Sequence, residues 1–282
     1  MSSQLNNDNI QNEFSADCKK CFGLCCVALP YAKSADFALN KDGGTPCKNL
    51  QSDYRCGIHK NLRVKGYRGC TVYECFGAGQ KVSQVTYQGN DWRNNPASAK
   101  GIFDVFPIMQ QLHEMLCYLN EALNLEEAQP IYKELQDALT ETEQLTFLNP
   151  KSIMELNVPA HRAIVNDLLL QTSELVRVKV KKNKSQRKKS KINRGSDLIG
   201  ANLRGADLKG TDLRGALLIA CNLRESDMRV TDLIGADLRD ADLRGANLMG
   251  SIFLTQAQVN SAKGDLTTKL PPSLSIPEHW FT

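Results

Sequence analysis

The chain lacks the features that mark membrane-spanning and exported proteins. None of its 282 residues belongs to an uninterrupted apolar run of 18, so the sequence predicts no transmembrane helix. The first 18 residues are polar and hold no apolar segment of the kind found in signal peptides. We therefore expect a cytoplasmic protein with no membrane contact, whose cysteines are reduced or metal-bound rather than paired in disulfides.

Motifs of enzymatic catalysis are also scarce. No glycine-rich phosphate loop, Ser-His-Asp arrangement or paired acidic motif stands out, and the four histidines are scattered along the chain. These absences favour a non-catalytic protein. Only one feature would support an enzymatic function, namely a cysteine cluster able to serve as a redox or iron–sulfur site.

The chain has instead a five-residue period from Ser196 to Thr255. In fives it reads SDLIG, ANLRG, ADLKG, TDLRG, ALLIA, CNLRE, SDMRV, TDLIG, ADLRD, ADLRG, ANLMG and SIFLT. Position three is Leu in ten of the twelve units, position one is always small, and position two is Asp or Asn in ten. Because helices and strands repeat at 3.6 and 2.0 residues, a period of five predicts a solenoid that turns a corner at each unit.

These units resemble the A(D/N)LxX units of the pentapeptide repeat proteins. The resemblance implies a right-handed, four-sided β-helix with five residues per face, so residues 196–255 would make three coils, about 14 Å tall. It also implies that positions one and three point inward while positions two, four and five face water. One face then carries a column that we interpret as a solvated, self-paired surface or as a patch for an anion or partner: Arg204, Arg224 and Arg244 beside Asn202, Asn222 and Asp242.

Residues 256–282 leave the period and are predicted to cap the solenoid. Open coils expose unpaired backbone and apolar side chains, so an end needs covering. The stretch contains Pro271 and Pro272 and ends near Trp280. We interpret His279 as a capping residue rather than a ligand.

Eight of the ten cysteines lie close together near the amino terminus: Cys18, Cys21, Cys25, Cys26, Cys47, Cys56, Cys70 and Cys75. This density, with a C-x2-C pair and nearby glycines, predicts a metal site, since thiolates suit zinc and iron–sulfur clusters. Free buried thiols and a disulfide framework are the alternatives. The other two, Cys117 and Cys221, are expected to be small buried hydrophobes.

Residues 17–79 resemble the CxxCxxCC family, described as a zinc- or iron-chelating domain. The resemblance includes Pro46-Cys47 with Leu50, and the run Cys56-Gly57-Ile58-His59 followed by Cys70. Three residues rather than two separate Cys21 from the adjacent pair, which leaves open whether Cys25 or Cys26 is the equivalent ligand. The resemblance implies a zinc or iron cofactor and does not choose between them.

The grouping of the eight thiols is open at this point. They would fill two tetrahedral zinc sites, or four of them would hold one iron–sulfur cluster while the others are structural. Neighbouring side chains diverge in an extended backbone, so Cys25 and Cys26 suit a single metal poorly. We expect four to six ligands, with four strongest candidates: Cys18, Cys21, Cys56 and Cys70.

Between the cysteines and the repeats the sequence predicts three helices and a basic strip. Apolar residues at helical spacing mark helices at about 98–124, about 125–145 and after Pro159. His113 and His161 within them are expected to be surface or hydrogen-bonded histidines, not ligands. Residues 177–194 hold ten Lys or Arg and no acid, which indicates either a solvated linker or a contact with nucleic acid or another polyanion.

Together these features predict a mixed multidomain protein. Its parts are a small Cys-rich metal-binding module (14–80), a helical segment (98–177), a basic linker (178–195), a right-handed quadrilateral β-helix (196–255) and a carboxy-terminal cap (256–282). The function predicted is that of a non-catalytic interaction or scaffold protein whose protein partner the sequence does not identify. The alternatives are an iron–sulfur or redox-active protein and an antibiotic-resistance protein that protects its target.

The second alternative follows from the repeat resemblance. Some pentapeptide repeat proteins protect DNA gyrase by imitating duplex DNA in shape and charge. The present repeats carry nine acids against seven bases, far from the charge of a duplex. Target protection would therefore have to proceed by another route.

Overall fold

A computed structural model of the protein describes residues 14–182 and 192–281. These residues form two compact units, one built from 14–120 and 133–167, the other from 121–132 and 168–281. The first unit holds the cysteine cluster and the second holds the repeats. Within the described residues, no helix has both the length and the apolar character needed to cross a membrane.

Helices account for most of the regular structure before the repeats. Three short ones lie among the cysteines: α1 (Leu24–Val27), α2 (Arg68–Thr71) and α3 (Ala78–Lys81), the last running into a π-helical turn at Val82–Thr86. Longer ones follow: α4 (Pro96–Leu123), α5 (Tyr132–Thr146), α6 (Pro150–Met154) and α7 (Val158–Lys182). The structure thus confirms a helical middle region.

The helix boundaries differ from the sequence expectation at two points. The predicted second helix starts later, because Glu126–Ile131 is a 3-10 turn that contains Pro130. Proline lacks the N–H of an α-helical hydrogen bond and disfavours helix in the residue before it. The third helix continues to Lys182, so the first residues of the expected linker at 178–195 are helical.

The core of the first unit lies between α4 and the cysteine segment. Ile102, Val105, Phe106 and Met109 of α4 are almost completely buried, and Leu24 of α1 packs in the same cluster. Their spacing follows one face of the helix, as the apolar pattern predicts. Part of the cysteine cluster is therefore anchored on a rigid helix.

The repeats stack with a register of twenty residues. Parallel bridges join position two of one coil to position two of the next, as in Asp197–Leu217–Asp237 and Asn202–Asn222–Asp242. Backbone hydrogen bonds join the same neighbouring coils, for example from Leu198 N–H to the Leu217 carbonyl at 2.9 Å. Twenty residues per coil and five per side give a four-sided coil, as the resemblance to pentapeptide repeat proteins implies.

The interior of this β-helix follows the predicted pattern of positions. Leu208 and Leu238 at position three are 2% and 1% exposed, which confirms that this column fills the axis. Position five adopts the left-handed conformation in every unit except the last, where Thr255 is extended, and Gly occupies it in most units. Val230 holds the same conformation at φ 58°, which is strained for a β-branched side chain.

One face departs from the expectation that positions two and four face water. Asp232 is fully buried, and Arg214 is 4% exposed. Arg214 Nη1 lies 3.2 Å from Asp232 Oδ2, and Arg177 of α7 lies 3.4 Å from Asp212. The reason is that α7 covers this face, as shown by Val180, which fills the space beside Gly210. The expectation of solvent exposure was wrong here because the period carries no information on what packs outside.

Residues 256–281 continue the stack and close it. Helix α8 (Gln256–Ser261) begins with a capping box between Thr255 and Gln258. Lys263 and Lys269 then add two more parallel bridges to the ladder. Trp280 is buried, and its indole N–H donates to the Ala262 carbonyl at 3.1 Å.

Candidate metal centre

The eight cysteines of the amino-terminal segment are placed by short turns and helices. Cys25 and Cys26 lie in α1, which starts after Gly23 in the left-handed conformation. Gly23 has no space for a side chain, since a Cβ would stand 2.7 Å from Leu50. Cys70 lies in α2, and Cys75 precedes the turn into α3. All ten cysteines of the chain are free thiols, so the structure forms no disulfide framework.

The cysteines divide between two packing environments. Cys21, Cys25 and Cys75 pack against the core built on α4. The sulfurs of Cys21 and Cys75 both approach Gly79, where a Cβ would stand 2.8 Å and 4.0 Å from them. A side chain at position 79 would therefore crowd the sulfur of Cys21.

A second environment surrounds Cys47, which is buried with Leu62 and Tyr67. Cys26 and Cys56 pack against the same cluster. The Cys47 N–H donates to the Cys26 carbonyl at 2.9 Å, and the Tyr31 hydroxyl donates to the Cys47 sulfur at 3.4 Å. Neighbours along the chain, Cys25 and Cys26, therefore belong to different environments.

Cys18 and Cys70 are the two exposed cysteines of the cluster. The pKa of Cys70 is raised by partial burial of its thiol and then by charge on Cys26, Cys47 and Cys56. Charge on Cys18 contributes to the raised pKa values of Cys21, Cys25 and Cys75, and also to that of Cys56. All eight sulfurs thus form one neighbourhood.

Backbone N–H groups point at three of the sulfurs. Cys21 accepts from Leu24 and Gly23, Cys56 accepts from Ile58, and Cys75 accepts from Gly79 and Gly77. Burial raises the pKa of Cys21 to about 11, and its two hydrogen bonds act in the opposite direction. Hydrogen bonds of this kind favour the thiolate, which is the form that binds metals and iron–sulfur clusters.

A buried lysine adds positive charge beside the second environment. Lys41 is 7% exposed, and its ammonium donates to the carbonyls of Val27, Asp42 and Thr45 at 3.0–3.1 Å. The pKa of Cys26 is lowered chiefly by a hydrogen bond from Cys25, and the Lys41 charge lowers it further. The same hydrogen bond, with burial, raises the pKa of Cys25 well above its ordinary value.

The donor atoms of the cluster are of the types that suit a thiophilic metal, but the side chains are not arranged as ligands around one point. A thiolate site requires thiols and groups that stabilise their negative charge. The structure provides eight free thiols, backbone donors to three of them and a buried cation. Within the described ranges, however, no three Cys, His, Asp or Glu side chains surround one point closely enough to hold an ion. Coordination therefore requires the short cysteine side chains to turn to other rotamers.

The repeats present a surface of paired charges. Asp242 and Arg244 form a pair within one unit, as do Asp237 and Arg239. In the predicted arginine column, Arg204 binds Glu225 at 2.8 Å, and Asn222 donates to Asn202 at 3.0 Å. Arg204 and Arg244 are thus paired as the solvated interpretation requires, whereas Arg224 Nε is buried without a hydrogen-bond partner among the described residues. Most of the basic strip at 177–194 has side chains outside the described residues, including those of Lys181, Lys182, Arg187, Lys188 and Lys189.

Comparison with known proteins agrees with the repeat geometry. The family model described as pentapeptide repeats matches residues 194–218 and 216–253, in eight copies. Over 274 residues the chain is 63% identical to the uncharacterized protein YybG of Bacillus subtilis (strain 168), an alignment that covers 97% of each chain. The chain belongs to the family of YybG and is a pentapeptide repeat protein.

Two solved structures of pentapeptide repeat proteins are similar to part of the chain. One, from Nostoc Pcc 7120, is 36% identical and covers 30% of this chain and 83% of its own, with a TM-score of 0.22. The other, from the thylakoid lumen of Arabidopsis thaliana, is 28% identical and covers 27% and 65%, with a TM-score of 0.11.

In this pentapeptide repeat protein Lys41 is a residue that sequence reasoning missed, whereas His113 and His161 are hydrogen-bonded, which is one of the two outcomes expected for them. Lys41 sits between Asn40 and Asp42 with no signal of burial, and only the fold brings it to the cysteines. His113 and His161 are buried and hydrogen-bonded, to the Phe76 carbonyl and the Thr142 hydroxyl, each at 2.8 Å. Burial lowers the pKa of His113 to about 4, so it is neutral at pH 7.

Proposed function

We propose that the protein is a cytoplasmic, non-catalytic interaction protein. Zinc or iron stabilises its cysteine module, and its pentapeptide repeats, taken as right-handed, offer the surface for a protein partner. The observation that carries the metal assignment is the set of eight free thiols, three of which receive backbone N–H donors. A set of this kind has few other roles in a reducing compartment.

Metal binding would stabilise the fold of this module. The regular structure of residues 14–81 consists of three α-helices of four residues each, a 3-10 helix at His59–Asn61 and isolated bridges such as Tyr31–Lys41 and Leu50–Cys56. Such short elements contribute little stability on their own. Because thiolates converge on a metal only in the folded chain, the free energy of metal binding adds to the free energy of folding.

The repeat surface supports a protein partner better than a nucleic acid. Its charged residues pair with each other, as Asp227 does with Arg229 at 2.6 Å, so little net charge remains for phosphates. A partner would meet a rigid face whose paired Asp and Arg side chains supply hydrogen-bonding groups at fixed spacing. The same balance of charge argues against imitation of a DNA duplex.

The decisive measurement is the metal content of protein purified anaerobically and without chelator. We expect zinc or iron above background, with a brown charge-transfer absorption if the metal is an iron–sulfur cluster. Removal of the metal should lower the melting temperature of the first unit. Cys117→Ser, which lies in α4 outside the cluster, is the control and should keep the full metal content. Protein with neither zinc nor iron would refute the proposal.

A further inference from the structure

We propose that the first unit binds a small carboxylate that also carries a hydroxyl group, in a cavity beside α3, α4 and α5. The cavity has a volume of about 450 Å³, which is within the range of sites that hold small molecules. The described residues that line it all belong to the first unit. This binding site goes beyond the proposed function and does not depend on metal binding by the cysteines.

Apolar side chains supply much of the cavity wall. Leu116 of α4 and Leu139 of α5 line it, together with Val85 and Phe147. Val85 is 45% exposed and Phe147 is 63% exposed, so folding leaves two large apolar side chains uncovered beside the cavity. Such a wall suits the aromatic or aliphatic body of a small ligand, which would cover these side chains.

The charged residues of the cavity favour an anion. Lys20 and Lys81 line it, and Glu143 is the one acidic side chain among the described residues that do so. Lys20 also pairs with Asp17, at 3.5 Å in an exposed position. The Lys81 ammonium lies 3.2 Å from the centroid of the Phe147 ring, which places it beside the apolar wall. A carboxylate paired with Lys81 would therefore leave the body of the ligand against Phe147.

His113 of α4 adds a hydrogen-bond acceptor to the cavity wall. Its Nδ1 lies 2.8 Å from the Phe76 carbonyl, and because a carbonyl oxygen only accepts, Nδ1 carries the proton. Burial and then the Lys81 charge lower the pKa of His113 to about 4, so the ring is neutral at pH 7 and Nε2 holds a lone pair. Among the described residues Nε2 has no hydrogen-bond partner, although it is buried. The cavity wall thus contains an acceptor that lacks a donor.

A ligand hydroxyl group supplies that donor. Its O–H can donate to Nε2 of His113 while the carboxylate pairs with Lys81, and a molecule with both groups is a hydroxy acid. Nε2 is covered in the present conformation, so a neighbouring side chain must move before a ligand reaches it. The Phe14 ring lines the same cavity and lies edge-on to the imidazole, with 6.3 Å between the ring centroids. We expect Phe14 to turn aside when the site is occupied.

Isothermal titration calorimetry of the full-length protein with three probes tests this chemistry. Mandelate, used as both enantiomers, carries a carboxylate, a hydroxyl group and an aromatic ring; phenylacetate lacks the hydroxyl group, and mandelamide lacks the charge. Mandelate should bind, and each of the other two should bind about tenfold more weakly, since each loses one hydrogen bond or ion pair. Absence of mandelate binding would overturn the proposal, as would an affinity for either of the other probes equal to that for mandelate.

Lysine variants separate the carboxylate contact from general effects on the protein. Lys81→Gln should weaken mandelate binding about tenfold and leave mandelamide binding unchanged. Lys100→Gln is the matched control, because Lys100 is an exposed lysine of α4 that does not line the cavity. Equal effects of the two changes on mandelate would rule out Lys81 as the contact of the carboxylate.

Nitrogen NMR of the histidines reports the hydroxyl contact without any change to the chain. The Nε2 resonance of His113 should move far more with mandelate than with phenylacetate. His161 is an internal control, since it is also buried and hydrogen-bonded but does not line the cavity. A shift of both histidines, or of neither, would contradict the site. Metal content is measured separately, so a negative result in these titrations leaves the proposed function intact.

Discussion

The buried pair of Arg214 and Asp232 allows a direct test of how α7 covers the repeats. Asp232 is fully buried, accepts from Ile234 N–H at 3.0 Å and faces Arg214 at 3.2 Å. Asp232→Ala removes the carboxylate while the guanidinium stays buried. Breaking a buried ion pair from one side typically costs about 3–5 kcal/mol, a large part of the stability of a domain.

The chain offers a matched control one unit further on. Asp237 occupies the same repeat position but pairs with the arginine two residues later in its own unit, at 2.7 Å from Arg239. That pair is open to solvent, with side chains 46% and 22% exposed. Exposed pairs contribute about 0–1 kcal/mol, so Asp237→Ala should cost about 1 kcal/mol once its turn hydrogen bond is included.

Urea unfolding followed by circular dichroism measures both changes, and hydrogen exchange on repeat peptides assigns the loss to the second unit. Asp232→Ala should lower the free energy of unfolding by about 2–4 kcal/mol more than Asp237→Ala. Replacing both partners, Arg214→Met with Asp232→Leu, should recover most of the loss, because neither charge of this pair is then left buried without its partner. If the two single changes have equal effects, the burial of this face by α7 is wrong.

Three further predictions concern the second unit and the basic strip. Leu238→Asp should unfold the coils, since an isolated buried charge costs several kcal/mol or more, whereas Asp237→Ser should leave the melting temperature nearly unchanged; equal melting temperatures would contradict the register. Burial raises the pKa of Glu121 from 4.5 to about 7, with the Phe253 N–H opposing, so its proton is held more tightly in the folded state. Stability should therefore fall as pH rises from about 4.5 to 7, by on the order of 3 kcal/mol, and Glu121→Gln should remove that dependence in urea titrations at several pH values. The basic strip is expected to act as a bare linker, with no retention of labelled DNA or RNA at low salt. Salt-dependent binding that disappears when five residues become Gln would instead establish a polyanion contact: Lys181, Lys182, Arg187, Lys188 and Lys189.

The repeats were predictable from the sequence because their structure is local and periodic. A single large apolar residue in each unit identifies the axis, and Leu208 and Leu238 are buried as the period requires. The period does not record what packs against the outside of a coil. Arg214 and Asp232 therefore could not be distinguished by sequence from Arg239 and Asp237, which hold equivalent positions and stay partly exposed.

The cysteine cluster was predictable as a group but not in its internal arrangement. Spacing along the chain brings Cys18 and Cys21 together, whereas Cys21 and Cys75 meet only through the fold around Gly79. Of the four strongest candidates from the sequence, Cys21 packs in the first environment and Cys56 in the second. Long-range packing of this kind depends on loops such as the one that carries Lys41, whose path no local pattern specifies.

The twenty-residue register of the bridges restricts how the length of this protein can change. Inserting one five-residue unit would keep every leucine on the axis, yet it would rotate all later units by one side of the square. An insertion between Asn222 and Asp242 would end the stacking of those two residues, and one between Asn247 and Lys263 would end the bridges of Lys263 and Lys269 to Asp242 and Asn247. Insertions and deletions should therefore be tolerated in whole coils, so the solenoid can lengthen in steps of four units while its faces and its cap keep their places.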